Sequence, residues 1–189
     1  MTNSSSIDAS LELTFARAAA GDGPEITALV NSAYRGDSSR AGWTTEAELL
    51  GGVRTCDEAI DEIIKSESHY LLTARMQGVL LGCCEVTRYS STDAYIGMVT
   101  IRPTAQNQKL GRTMLAEAEK VAIQHFKATH ARMTVISVRQ ELIAWYERRG
   151  YEDTKQREPF PMTDSRFGLP KVSHLEFIVM RKKLKTADQ

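Results

Sequence analysis

Ile101-Arg102-Pro103-Thr104-Ala105-Gln106-Asn107-Gln108-Lys109-Leu110-Gly111-Arg112 is the stretch that decides the fold. An apolar run ends at Pro103 and a polar turn follows. From Leu110, the residues Leu110, Met114, Leu115, Ala118, Val121 and Phe126 fall on one stripe of a long amphipathic helix, predicted to reach Lys127. The first turn of a helix carries unpaired N–H groups and the positive end of the dipole, so a strand–turn–helix of this kind is a cradle for an anion such as a pyrophosphate. Gly111 has no Cβ and lets a ligand approach the backbone. Lys109 and Arg112 add mobile positive charge. This is no P-loop, because the required Gly-Lys-Ser/Thr is missing, and one glycine does not make a dinucleotide fingerprint. Taken alone, the stretch reads equally well as a helix start with solvated basic residues.

Working outward, the pattern predicts strands at His69–Met76, Val79–Arg88 and Ala94–Ile101, with Gln77-Gly78 as a turn. Downstream lie a short apolar strand at Met133–Val138, a helix from Glu141 to Arg149 stopped by Gly150, and strands at Tyr151–Glu158 and Leu175–Lys183. Upstream, Leu11, Leu13 and Phe15 alternate as a first strand, and a helix starts at Pro24. Thr45 with Glu48, and Thr55 with Glu58, read as capping boxes opening a broken helical pair. This order predicts an α/β (α+β) fold, a mixed sheet flanked by helices. The expected division is a tail over 1–9, one domain over 10–184 and a short tail over 185–189.

The 189 residues are 42% hydrophobic and 25% charged, with 24 Lys plus Arg against 24 Asp plus Glu. That balance disfavours a general nucleic-acid or polybasic membrane binder. Cys56, Cys83 and Cys84 form no disulfide framework and give too few thiols for a structural zinc, so no metal is expected. No apolar run approaches the roughly 20 residues of a membrane-spanning helix, and the polar N-terminus lacks a signal-like segment; a cytoplasmic protein is expected.

In order and spacing, Ile101-x-Pro103 followed by Gln106-x-x-Lys109-x-Gly111, and the later Tyr146-Glu147-Arg148-Arg149-Gly150-Tyr151, resemble the GNAT superfamily of acyl-CoA N-acyltransferases. The two motifs span roughly residues 94–151, and the element order extends the likeness over about residues 10–184. The resemblance implies a mostly antiparallel sheet with two splayed parallel strands, and acetyl-CoA as co-substrate. It implies that backbone groups of Val99 and Ile101 hold the pantetheine. Backbone N–H groups of Gln106, Asn107, Gln108, Lys109, Leu110, Gly111 and Arg112 would hold the pyrophosphate, with Arg139 near the second motif. In this sequence Lys109 stands at the family's usual first glycine, Arg139 where many members have Asn, and Leu142 where they have Ala. A homodimer built through late strands is also implied by the resemblance.

Acyl transfer to an amine needs a neutral amine, a held oxyanion and a protonated leaving thiolate. By resemblance Tyr146 takes the general-acid position; its other reading is a helical tyrosine packed beside Trp145. Backbone N–H groups near Met98 or Val99 are the oxyanion candidates. Glu85, among apolar strand neighbours, is a candidate base, or else a sheet-end residue paired with a cation. Cys83-Cys84 reads as core rather than nucleophile. Tyr34, Trp43, Tyr95 and Phe160 are candidates to line the pocket of a small-molecule amine. The expected function is a direct acetyl transfer without acyl-enzyme. The rival readings are a non-catalytic acyl-CoA-binding module and an anion-binding interaction domain.

Overall fold

The computed structural model describes residues 12–106, 109–163 and 168–185. Its elements run β1 (Leu13–Arg17), α1 (Gly23–Tyr34), α2 (Gly36–Ser39), β2 (Leu50–Gly51), α3 (Asp57–Lys65), β3 (His69–Met76), β4 (Val79–Arg88) and β5 (Asp93–Ile101). A 3-10 turn (Pro103–Ala105) then leads to α4 (Leu110–Gln124), β6 (His130–Ile136), α5 (Gln140–Glu147), β7 (Glu152–Pro159), β8 (Leu169–Pro170) and β9 (Glu176–Lys183). Seven strands form one sheet in the order β1-β3-β4-β5-β6-β9-β7, and β2 pairs with β8 in a small second sheet. Every pair in the large sheet is antiparallel except β5–β6.

Side chains alternate across the strands and feed two cores. Cys84, Leu72 and Met133 pack under Met114, Leu115 and Ala118 of α4. Cys83, Leu71 and Leu80 pack under Ile26, Leu29 and Val30 of α1 and Ile60 of α3. The adjacent cysteines therefore sit on opposite faces of the sheet, both fully buried.

The parallel pair is only three residues long: Asp93 faces His130, Ala94 faces Ala131 and Tyr95 faces Arg132. Both strands continue beyond this point, but a cavity lies between Ile96–Val99 and Met133–Ile136. The cause is local. The β4–β5 register slips between Cys83 and Glu85, and Met98 sits at φ 50, a left-handed conformation rare for a residue with a Cβ. A bulge of this kind bends its strand, here β5, away from a regular ladder. At the closed end of the gap, Arg181 of β9 donates from Nε and Nη2 to the two Asp93 oxygens, each at 2.8 Å. Higher up, the Tyr95 and Thr134 hydroxyls hydrogen-bond across it at 2.7 Å.

Four sequence expectations change. No helix follows Thr45. Its hydroxyl does accept the Ala47 N–H at 3.2 Å, but Glu48 turns outward to pair with Arg40, and Gly51-Gly52 leaves no helical continuation; Leu50 becomes a strand. Helix α3 begins at Asp57 with Cys56 at the cap, not Thr55, whose backbone is held by Asn31 of α1. Strand β6 starts at His130, three residues before the apolar run, because its first residues form the parallel ladder with β5. The Pro-rich loop contains strand β8. Among the described residues no helix is long and apolar enough to cross a membrane.

Candidate active site

Two cavities flank the splayed strands. One, of about 530 Å³, opens between the start of α4 and α5. The other, of about 440 Å³, lies in the gap between β5 and β6. They share one wall, made by Tyr34, Val99, Leu142 and Tyr146. Tyr146 is 7% exposed, its ring set edge-on to Trp145 and Tyr151. Burial, reinforced by Tyr34, Cys84 and Tyr95, holds its phenol well above the ordinary tyrosine range, so it is protonated at neutral pH. Among the described residues nothing hydrogen-bonds its hydroxyl. Tyr34 differs: its hydroxyl donates to the Val99 carbonyl at 2.7 Å, and burial pushes its pKa up as well.

The larger cavity gathers Val99, Ile101, Gln106, Lys109, Gly111 and Arg112. The Arg102 N–H bonds the Leu81 carbonyl on β4 at 2.8 Å, so strand alternation turns the backbone groups of Ile101 and Val99 toward the gap. Lys109 caps α4 at φ 61, in the left-handed region that a glycine would adopt freely. A Cβ placed on Gly111 would meet only Trp145 at 3.5 Å and Ile101 at 3.8 Å, ordinary contact distances. Gly111 therefore stands on the cavity wall, packed beside Trp145 and Ile101. Leu110 turns its side chain into the core, which leaves only its backbone for a ligand. Asn107 and Gln108 lie outside the described residues.

The side chains of two residues expected near the ligand are engaged within the protein. The Gln106 side chain accepts the Trp43 N–H at 2.9 Å and donates to Thr44 Oγ1 and the Ile101 carbonyl, each at 3.1 Å. Arg139, 6% exposed, donates to Glu141 at 2.7 Å and to the carbonyls of Trp43 and Thr44 at 3.0 and 3.3 Å. Together they lash the segment after α2 across the cavity, with Trp43 against Trp145. Trp43 thus lines the larger cavity rather than the one in the gap.

Arg148 and Arg149 also line the larger cavity, beside Arg112. The Arg149 guanidinium lies 3.4 Å from the Trp145 ring centroid and donates to the Trp145 carbonyl at 2.6 Å. Among the described residues its buried Nε has no hydrogen-bond partner. Burial, then Arg148 and Arg112, depress its pKa, the mark of an electropositive corner. The signal available in sequence was Trp145 four residues before Arg149, a helical neighbour spacing.

The gap cavity takes in Tyr34, Tyr95, Met98 and Tyr146. Phe160 lies outside it, packed with Leu50, Ile136 and Leu175; its neighbours Pro159 and Pro161 form part of the wall instead. Glu85 lines neither cavity and bonds His69 Nδ1 at 2.6 Å. Burial lifts the Cys83 thiol to about 12 and Cys84 well above its usual range, so neither is a thiolate near neutrality.

Residues 26–151 match the model of the acetyltransferase (GNAT) family. The chain belongs to that family. No curated protein matches it in sequence. Its fold is similar to several solved acetyltransferases. A ribosomal-protein-alanine N-acetyltransferase from Brucella melitensis has a TM-score of 0.66 at 17% identity, covering 90% of this chain and 99% of that one. A GNAT family acetyltransferase from Elizabethkingia anophelis with acetyl-CoA bound has a TM-score of 0.60 at 15% identity, covering 91% and 98%. A spermidine N-acetyltransferase SpeG chimera from Vibrio cholerae and hSSAT has a TM-score of 0.64 at 15% identity, covering 91% and 95%. At these identities the likeness shows the fold; the acceptors named differ from one another, so fold alone does not choose one.

Proposed function

We propose that this GNAT protein transfers an acetyl group from acetyl-CoA to a primary amine of a small molecule, by direct attack and without an acyl-enzyme. The observation that carries the reading is the shared wall: two cavities meet at Tyr146, and its protonated hydroxyl is claimed by no other group among the described residues. The larger cavity suits acetyl-CoA. The start of α4 at Gly111 and the arginines at 112, 148 and 149 line it together and match a long ligand with phosphate groups. The Ile101 N–H is the backbone group offered to its amide-bearing arm, since the carbonyls of Ile101 and Val99 already accept from Gln106 and Tyr34. Bound there, it supplies an activated thioester carbonyl and a thiol leaving group.

The amine enters through the gap cavity. The Val99 N–H, next to the left-handed Met98 on the wall of the gap, is the candidate donor to the oxyanion that develops on attack. Tyr146 gives its proton to the departing sulfur. Its raised pKa keeps it protonated before the reaction, and the phenolate left behind takes a proton back from solvent. The amine's own proton leaves to solvent through the open gap; Glu85 stands outside the cavity and is engaged with His69. The buried, protonated cysteines argue against a covalent relay.

Thiol release from acetyl-CoA with a panel of amines tests this. Tyr146→Phe is expected to lower kcat by about 10²–10⁴-fold, with the acetyl-CoA Kd by calorimetry unchanged within about threefold. Tight acetyl-CoA binding with no amine acetylated would replace the reading with that of a non-catalytic acyl-CoA-binding module.

A further inference from the structure

Four charged side chains line the gap cavity: Glu46, Arg54, Arg139 and Glu158. Three of them are matched within the protein. Glu46 pairs with Arg35 at 2.5 Å, Arg139 with Glu141 at 2.7 Å, and Glu158 with Arg132 at 2.6 Å. The half-buried Arg54 is different. Among the described residues its guanidinium has no ion pair and no hydrogen bond, only the face of Tyr34, 5.9 Å from Cζ to ring centroid. The three pairs cancel, and the charge of Arg54 is left over in the cavity. Tyr34 is part of the wall shared with Tyr146, which places this cation beside the reaction site rather than at a distant rim.

The backbone behind Arg54 is fixed. Asn31 Oδ1, on α1, accepts the Arg54 N–H at 2.6 Å and the Thr55 N–H at 3.3 Å, and Asn31 Nδ2 donates to the Thr55 carbonyl at 3.0 Å. The loop that carries Arg54 is thus clamped to a helix at three points. A guanidinium offers a planar fork suited to a carboxylate, and it remains charged at any working pH. A polyamine or a simple alkylamine would bring further positive charge, or none, to a cavity that already has a surplus cation.

Resting on the proposed acetyl transfer, we infer that Arg54 selects an acceptor with an anionic group on the same small skeleton as the reacting amine. The chemical class is an amino acid-like zwitterion, with the amine toward Tyr146 and the acidic group on Arg54. Its carboxylate forms the ion pair that Arg54 lacks, and its amine is the nucleophile.

The test uses the full chain, acetyl-CoA and matched acceptors: a panel of L-amino acids, each with its carboxamide, plus spermidine as a polycation. The amino acid that reacts fastest is expected to exceed its carboxamide by roughly tenfold or more in kcat/KM, chiefly through KM. Arg54→Gln is expected to raise KM for that amino acid by a similar factor and bring the ratio toward one. Arg54→Lys restores part of the preference, a rescue that a purely structural role would not give. Melting temperatures of both variants check that the clamped loop is intact. Equal use of the carboxamide, faster use of spermidine, or a preference that survives Arg54→Gln overturns the inference while leaving acetyl transfer standing. Acetyl-CoA binding with no amine acetylated overturns the proposed function and this inference with it.

Discussion

Tyr34 and Tyr146 are buried phenols on the same wall, yet their hydroxyls are committed differently. Tyr34 donates to the Val99 carbonyl, so its removal loosens the strand that carries the proposed oxyanion donor. Tyr34→Phe is expected to cost about 1 kcal/mol of stability in urea denaturation and far less kcat than Tyr146→Phe. The pH dependence follows from Tyr146. The acid form is the active one and burial raises its pKa, so its loss of activity is displaced above the ordinary phenol range; kcat should show no decline from this group up to about pH 10. An alkaline fall near pH 8 that disappears in Tyr146→Phe would contradict the assignment. Glu85→Gln should leave kcat within about threefold, since its partner is His69 and not the cavity. The position of Tyr146 was legible because its signature fixes a helix face and an end. Phe160 misled because an aromatic residue in a Pro-rich loop reads alike whether it faces a pocket or a core. The clasping roles of Gln106 and Arg139 were not legible, since their partners at Trp43 and Thr44 lie 62 to 96 residues away in sequence and are brought near only by the fold.

At the scale of elements, the start of α4 holds the cofactor argument. Lys109 and Gly111 occupy positions where stability and binding pull in opposite directions. Lys109→Gly relieves a left-handed residue and is expected to stabilise by up to about 1 kcal/mol. The same change removes an ammonium and should weaken acetyl-CoA binding severalfold. Gly111→Ala adds helix propensity worth roughly 0.5–1 kcal/mol, and its Cβ fits beside Trp145. It also adds a methyl group to the wall of the proposed ligand cavity, so acetyl-CoA affinity should fall about tenfold or more. Denaturation midpoints and calorimetric Kd values separate the two effects. An alanine variant that binds as tightly as the parent would mean that the ligand does not pass over this turn. The strand–turn–helix itself was readable from the periodicity that begins at Leu110. The region around Thr45 was not, because a capping box signals a helix start only if a helical run follows, and Gly51-Gly52 ends it.

Across the whole molecule, the sheet order was partly legible: a meander of three strands followed by crossovers implies a mixed sheet. The insertion of β9 between β6 and β7 was not, because no local pattern records which strand a late one will join. That insertion brings Arg181 within reach of Asp93 across β6, and the pair closes the bottom of the gap on which both cavities depend. Asp93 is 8% exposed, and the Arg181 guanidinium, aided by the Thr92 hydroxyl, holds its carboxyl below the usual carboxylate range. A group whose folded pKa is depressed stabilises the fold above its unfolded pKa, near 3.9. That contribution is lost as pH falls through the unfolded value toward the lower folded one. Asp93→Asn keeps one acceptor but no charge, so it should destabilise by about 1–2 kcal/mol at pH 7. The difference from the parent should shrink as pH drops below the carboxylate range, where the parent loses the same charge. Because the pair sits at the closed end of the splay, its loss should also reach the site: KM values for both substrates are expected to rise while the Tyr146 pH profile stays unchanged. Equal stability of variant and parent at pH 7 would mean that the three-residue β5–β6 ladder holds the gap without the ion pair.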